Sequence, residues 1–94
     1  MTLSADARSI LEHVARASEP VAMSDFFHTI HPPMFDDSVP EDDPEREAWR
    51  ERQMSLFGAQ IELHDAGLVE IVHPANGERP DLVTATEAGR AALA

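Results

Sequence analysis

The pattern of residues 56–93 constrains the fold of this 94-residue chain more than any other feature. An apolar helical pattern ends at Asp65-Ala66-Gly67-Leu68, and the alternating segment Val69 to His73 then predicts a strand. Asn76-Gly77 predicts a turn, and Leu82 to Ala85 predicts the returning strand. A capped final helix follows, so the predicted order is helix, hairpin, helix.

The first half of the chain predicts two more helices and the start of the third. Ser4 can cap a first helix whose apolar residues recur at helical spacing, namely Ile10, Leu11, Val14 and Ala15. Pro20-Val21-Ala22 predicts a short extended piece, and Ser24 can cap a second helix that stops at His31-Pro32-Pro33. Pro44 suits the first turn of a third helix, which Gly67 ends.

The third helix is predicted to bury one side. Trp49, Leu56 and Leu63 fall seven residues apart, and Phe57 and Ile61 flank them. An aromatic residue at this spacing favours a core position for Trp49. Gly58 lowers helix stability by about 1 kcal/mol relative to alanine, which indicates a close helix contact or a slight break.

Length and composition predict one domain, residues 1–94. A chain of this size buries a single modest core, and 43% hydrophobic with 27% charged residues is typical of a globular protein. No apolar run is long enough to cross a membrane, and no leader pattern begins the chain, so we expect a cytoplasmic protein. The absence of cysteine excludes disulfides and thiol chemistry.

The net charge of −11 is concentrated in an acidic insertion, at about residues 34–44, between the second and third helices. The stretch from Met34 to Glu47 holds seven acids and one arginine, and so carries −6 of the total. All seven basic residues of the chain are arginine. In roughly molar salt the Debye length falls to about 3 Å, so adaptation to a salty cytoplasm can account for the acidity.

Two motifs resemble the winged helix-turn-helix fold of regulators of the broad MarR and PadR type. They are Leu63-His64-Asp65-Ala66-Gly67-Leu68-Val69 and Thr86-Glu87-Ala88-Gly89-Arg90. The acidic insertion is also similar to that of small winged-helix domains of halophilic archaea. The resemblance implies an α+β, mostly helical fold with a three-helix core, a β-hairpin wing and a short C-terminal helix. It further implies a homodimeric, non-enzymatic transcriptional regulator that binds double-stranded DNA.

A DNA contact is predicted on the third helix and at the hairpin. Arg46, Arg50 and Gln53 share one helical stripe, and Arg79 lies in the hairpin loop. Arginine and glutamine are the side chains that form paired hydrogen bonds with guanine and adenine. The alternative is a solvated face, on which Arg46 pairs with Asp42 or Asp43 and Arg50 pairs with Glu47.

A second functional hypothesis is a protein-interaction module or DNA mimic that binds a basic protein partner. Its surface is the acidic insertion, which comprises Asp36, Asp37, Glu41, Asp42 and Asp43. A third hypothesis is a structural dimerisation unit, suggested by Gly58 and by the small residues of the last helix.

Neither catalysis nor a cofactor is predicted. The sequence has no Gly-rich phosphate loop and no nucleophile motif. His28, His31 and Asp25 are crowded on one helix end and do not match a zinc spacing, so no metal site is expected.

Overall fold

The computed structural model describes residues 3–36 and 38–94. In chain order the elements are helix α1 (Ala5–Arg16), a 3-10 turn (Met23–Phe26), helix α2 (Phe27–Ile30), helix α3 (Pro44–Asp65), strands β1 (Val69–His73) and β2 (Leu82–Ala85), and helix α4 (Glu87–Ala92). The two strands pair antiparallel, with Val69 opposite Ala85 and Ile71 opposite Val83. The fold is therefore α+β and mostly helical with one hairpin, as predicted at that level.

The element boundaries follow from local chemistry. Ser4 accepts a hydrogen bond from the backbone N–H of Ala7, and the Thr86 hydroxyl accepts one from Gly89, so these two predicted caps are confirmed. The predicted cap at Ser24 is wrong, because Ser24 lies inside the 3-10 turn and its side chain caps neither this turn nor α2. Pro44 begins α3, and the Asp43 carboxylate before it accepts from the N–H of Glu45. The φ of +70° at Gly67 gives the predicted left-handed stop.

The core lies between α1, α3 and the hairpin. Its completely buried large side chains come from these elements and are Ile10, Leu11, Val14, Leu56, Leu63 and Val83. Val21 forms an isolated antiparallel bridge with Val83 through two backbone hydrogen bonds of 3.0 and 2.8 Å. The predicted extended piece thus becomes a one-residue addition to the sheet, which ties the turn after α1 to β2.

The predictions for the second helix and for Trp49 were wrong in part. The helix predicted from Ser24 begins as a 3-10 turn and has only one α-helical turn, although it ends before Pro32 and Pro33 as predicted. Trp49 is half-buried and contacts the segment after α2. Phe57 and Ile61, expected beside the buried side of α3, are 51% and 62% exposed. Helix α1 and the hairpin cover only a narrower strip of α3, which consists of Leu56, Ala59 and Leu63.

Helix α4 packs on the turn that joins α3 to the hairpin. A Cβ atom at Gly89 would collide with the carbonyl oxygen of Leu68, so this helix approaches the turn backbone as only glycine permits. The Thr86 hydroxyl donates to the carbonyl oxygen of Gly67 at 2.7 Å. Together these contacts fix where the hairpin leaves α3.

Within the described residues, no helix combines the length and apolar character that crossing a membrane requires.

Candidate interaction face on helix α3

Three of the four predicted DNA-contacting residues lie together on one side of the N-terminal half of α3, and the fourth lies in the hairpin loop. Arg46, Arg50 and Gln53 each donate a hydrogen bond to a carbonyl oxygen of the segment that precedes α3. Arg79 donates to carbonyl oxygens within its own loop. All four side chains therefore form hydrogen bonds to backbone carbonyl oxygens within the folded chain.

Residues 31–43 join α2 to α3, and we call them the connecting segment; its described parts, 31–36 and 38–43, fold back along α3. At the start of the segment, the carbonyl oxygen of His31 accepts from Trp49 Nε1 and from Gln53 Nε2, both at 3.0 Å. Farther along, the carbonyl oxygen of Val39 accepts from Arg46 Nη2 at 2.8 Å. The connecting segment, which contains the acidic insertion, is thus held on the helix through the carbonyl oxygens of His31 and Val39.

Aromatic contacts reinforce this docking. The Phe35 ring lies edge-on to Trp49 with centroids 5.7 Å apart, and the guanidinium of Arg46 lies 4.8 Å from the Phe35 centroid. The His28 ring also packs edge-on with Trp49, with centroids 5.4 Å apart. Arg46 is therefore enclosed by an aromatic ring and a backbone carbonyl, and its Nε atom is covered with no hydrogen-bond partner among the described residues.

The ion pairs expected along α3 differ from those observed. Arg50 reaches back to Glu41, with 3.3 Å to the carbonyl oxygen and 3.6 Å to the carboxylate. The side chains of Arg50 and Glu41 are 47% and 89% exposed, so this pair contributes little to stability. Arg46 bonds to Val39 instead of Asp42 or Asp43. Both arginines therefore bond to residues of the connecting segment other than the expected partners, Val39 for Arg46 and Glu41 for Arg50.

A cluster of three polar side chains joins the start of the connecting segment to α1 and α3. Asp6 accepts from Ser55 Oγ at 2.7 Å, and its other oxygen lies 2.9 Å from His31 Nε2. Burial acts to raise the pKa of Asp6, but the hydrogen bonds from Ser55 and His31 and the charge of His31 outweigh it and leave that pKa below its ordinary value of 3.8. Asp6 lies between Ser55 and His31, whereas a catalytic triad needs the imidazole between the other two groups. The cluster therefore acts as a clamp.

Arg79 closes the hairpin loop. Its Nη1 lies 3.3, 3.1 and 3.1 Å from the carbonyl oxygens of His73, Pro74 and Pro80. Asn76 Oδ1 accepts from the N–H groups of Glu78 and Arg79. This loop is a closed turn in which the guanidinium has a structural role.

The acidic residues of the second hypothesis have several different surroundings. Asp36 accepts from the N–H of Ser38 at 2.7 Å, and bonds from the Ser38 side chain and backbone lower the pKa of Asp36. Asp43 caps α3, Glu41 meets Arg50, and Asp42 is exposed. Asp37 lies outside the described residues.

Sequence reasoning missed an apolar surface that continues from Arg50 along the solvent side of α3. Met54, Phe57 and Ile61, which we call the outer stripe, are 67%, 51% and 62% exposed. The rings of Phe57 and the buried Phe27 are nearly perpendicular, with centroids 5.0 Å apart. The spacing i, i+3, i+7 places all three on one helical face, turned away from Leu56 and Leu63. That spacing is the available signal, but the prediction from sequence places Phe57 and Ile61 beside the buried side and assigns no role to Met54.

Other features of the described residues offer weaker sites. No group of three or more histidine and acidic side chains in residues 3–36 and 38–94 is arranged to hold a metal ion. A cavity between the connecting segment and α3, lined by Met34, Phe35, Glu45, Ala48 and Arg52, has a volume of about 200 Å³. Cavities that enclose a small-molecule ligand usually exceed about 300 Å³.

Comparisons with protein-family models, with curated proteins and with solved structures find no match to this chain. Its function must therefore be inferred from its own geometry.

Proposed function

We propose that this chain is a small, non-enzymatic domain of the winged-helix type that works by binding another protein chain. The outer stripe of α3 is its contact surface, and the acidic connecting segment borders that surface. The order of two helices, a long third helix, a hairpin and a short last helix supports the winged-helix assignment. The bridge between Val21 and Val83 supports it further, because it adds a short first strand to the hairpin.

One observation carries the proposal of protein binding: the three side chains of the outer stripe are large, apolar and exposed on α3, where a DNA-reading helix needs hydrogen-bond donors. Base edges in the major groove are read mainly by polar side chains, and affinity comes from neutralised phosphates. Met54, Phe57 and Ile61 offer neither. Adjacent exposed apolar side chains instead mark surfaces that bind proteins, since water hydrates them poorly.

The surrounding charge favours the same conclusion. Glu47 and Glu51 are exposed on α3, and the connecting segment adds further carboxylates beside the helix. A DNA duplex approaching this side would meet negative charge at short range, where screening is weakest. A protein with a matching apolar patch makes its contact on the outer stripe and meets this charge only at the border of the stripe.

A DNA-binding transcriptional regulator is the second candidate function, and one observation favours it. Arg46, Arg50 and Gln53 are all held by carbonyl oxygens of the same connecting segment. Displacing that segment would release three side chains suited to base recognition at once. The connecting segment would then act as a removable cover, and Arg79 would approach the DNA backbone from the hairpin.

A photo-crosslinking experiment tests the proposed function. A benzophenone amino acid replaces Ile61 in the full chain expressed in its own cells, and a matched variant carries it at Val72, which is 41% exposed on β1. We expect a specific protein adduct from position 61 and a much weaker one from position 72, because only the first lies in the outer stripe.

DNA binding by the purified chain is measured in parallel by fluorescence anisotropy, with random-sequence and upstream-region duplexes at the salt concentration of the cell. Tight binding that is lost in the Arg50→Ala/Arg79→Ala variant, without an adduct at position 61, would overturn the proposal in favour of the regulator. Absence of DNA binding, together with the position-dependent adduct, would support it.

A further inference from the structure

We infer that the outer stripe of α3 binds the outer stripe of a second copy of this chain, with the two helices antiparallel. The inference rests on the proposed protein-binding function and adds the identity of the partner. A two-fold axis that passes near Phe57 and Gly58 brings Met54 of one copy toward Ile61 of the other. Such isologous pairs are the commonest form of protein oligomer.

The centre of this arrangement is shaped for close approach. A Cβ atom at Gly58 would meet nothing within 4 Å, so the helix surface there is open and lacks a side chain. Gly58 follows Phe57 in sequence and lies one helical turn from both Met54 and Ile61 on the helix surface. A second helix can therefore approach closely at the midpoint of the outer stripe, where the two Phe57 rings would cover each other.

Charge at the ends of the stripe favours the antiparallel direction. Arg50 lies one turn before Met54, and Asp65 lies one turn after Ile61. Residues equidistant from a two-fold axis at positions 57 and 58 face each other, so Arg50 of each copy approaches Asp65 of the other. The guanidinium of Arg50 can leave Glu41 for this contact, because the two groups are 3.6 Å apart and both side chains are exposed to water. The two helix macrodipoles also point in opposite directions in an antiparallel pair, so that the partly positive end of each helix lies beside the partly negative end of the other.

The position of the acidic connecting segment favours the same direction. It contacts α3 between Arg46 and Gln53, about eight residues or 12 Å from the proposed axis. In an antiparallel pair the two segments then lie at opposite ends, about 24 Å apart, which exceeds the Debye length of about 8 Å at physiological salt. A parallel pair would bring the two segments side by side.

Analytical ultracentrifugation of the full chain at increasing concentration is the first test. We expect a species of twice the 10.3-kDa chain mass. Ile61→Arg should weaken the dimer at least tenfold, because it places a charge in the apolar contact. Val72→Arg, an equal change at an exposed site outside α3, should leave the dimer intact. A chain that stays monomeric at every concentration, or a dimer that Ile61→Arg leaves unchanged, overturns the inference.

Charge reversal tests the direction of the pair. Arg50→Glu or Asp65→Arg alone should weaken the dimer, and the double variant should restore most of the loss, because glutamate at 50 then meets arginine at 65 of the other copy. The double variant does not restore the contact between Arg50 and Glu41, so rescue reports the contact between copies. Arg16→Glu, the same charge change at an exposed site on α1, is the control. Equal weakening in the single and double variants would contradict the antiparallel register.

Disulfide trapping gives an independent readout, because the chain has no cysteine of its own. Gly58→Cys near the axis should form an intermolecular disulfide under mild oxidation, since the bond needs Cα atoms within about 7 Å. Glu47→Cys, exposed on the same helix but about 16 Å from the axis, should not. Trapping at 47 and not at 58 overturns the arrangement. An adduct from position 61 with a different protein, and none at the dimer mass, refutes the second copy while leaving protein binding intact.

Discussion

Asp6 joins three parts of the chain through two oxygen atoms. It sits in the first turn of α1, receives a hydrogen bond from Ser55 on α3, and contacts the His31 ring at the start of the connecting segment. Each of these bonds contributes about 1 kcal/mol because the group is only partly buried. The carboxylate thereby positions the connecting segment against the helix that carries the candidate site.

The stability that Asp6 provides should depend on pH. Its pKa is depressed in the folded chain, so its contribution is fully present above the ordinary value of 3.8 and is lost as the pH falls through the lower folded value. Asp6→Asn should cost about 1 kcal/mol at neutral pH, a fall in Tm of roughly 4–8 °C, and the difference from the native chain should vanish in acid. Thermal unfolding followed by circular dichroism across pH measures both effects. Asp25→Asn, at an exposed acid, is the control, and an equal loss there would refute the clamp.

Among the helices, two glycines differ in what surrounds them. Gly89 in α4 packs on the carbonyl oxygen of Leu68 and beside the Leu11 side chain, whereas Gly58 in α3 faces open space. The first is required by the packing of a helix against a turn. The second lowers the helical stability of α3 and keeps its outer face accessible.

Alanine substitutions at the two glycines should therefore change stability in opposite directions. Gly89→Ala should cost about 1–3 kcal/mol, because backbone must move to admit the methyl group. Gly58→Ala should raise stability by up to about 1 kcal/mol through helix propensity. Urea unfolding measures both, in the Ile61→Arg background so that self-association does not contribute. A neutral Gly89→Ala variant would show that α4 can shift away from the turn.

The elements could be predicted wherever a local signal determines them. Ser4, Thr86 and Gly67 mark helix ends through their own chemistry, and Asn76-Gly77 between two short apolar runs indicates the hairpin, although only Val69 of β1 is buried. The role of Arg46 could not be predicted, because its partners Val39 and Phe35 depend on how the connecting segment folds back. Phe57 and Ile61 carry the spacing of a buried side, and only the width of the opposing layer decides that they are exposed.

At the scale of the whole molecule, negative charge acts against compactness. A net charge of −11 on a fold whose principal extents are 43 × 33 × 21 Å places many carboxylates within a Debye length of one another at low salt. None of the described charged side chains is buried, so the surface carries this repulsion. Added salt should reduce it over the entire surface.

The Tm should consequently rise between low and molar sodium chloride. The variant Asp42→Asn/Glu47→Gln/Glu51→Gln neutralises three exposed acids and changes the net charge from −11 to −8. Its Tm should rise less with added salt than that of the native chain. Differential scanning calorimetry measures it, and sucrose at matched osmolality separates screening from solute exclusion. A variant whose salt response equals that of the native chain would exclude self-repulsion as the cause.

The two attachments made by His31 differ in what they demand of the residue. Trp49 and Gln53 bond to its main-chain oxygen, which every amino acid supplies, whereas Asp6 requires the imidazole. Replacement of His31 by a residue that keeps the same backbone conformation would detach the segment from α1 and leave its hold on α3 in place. Mutations can therefore remove the linkage to α1 during evolution while the linkage to α3 is kept.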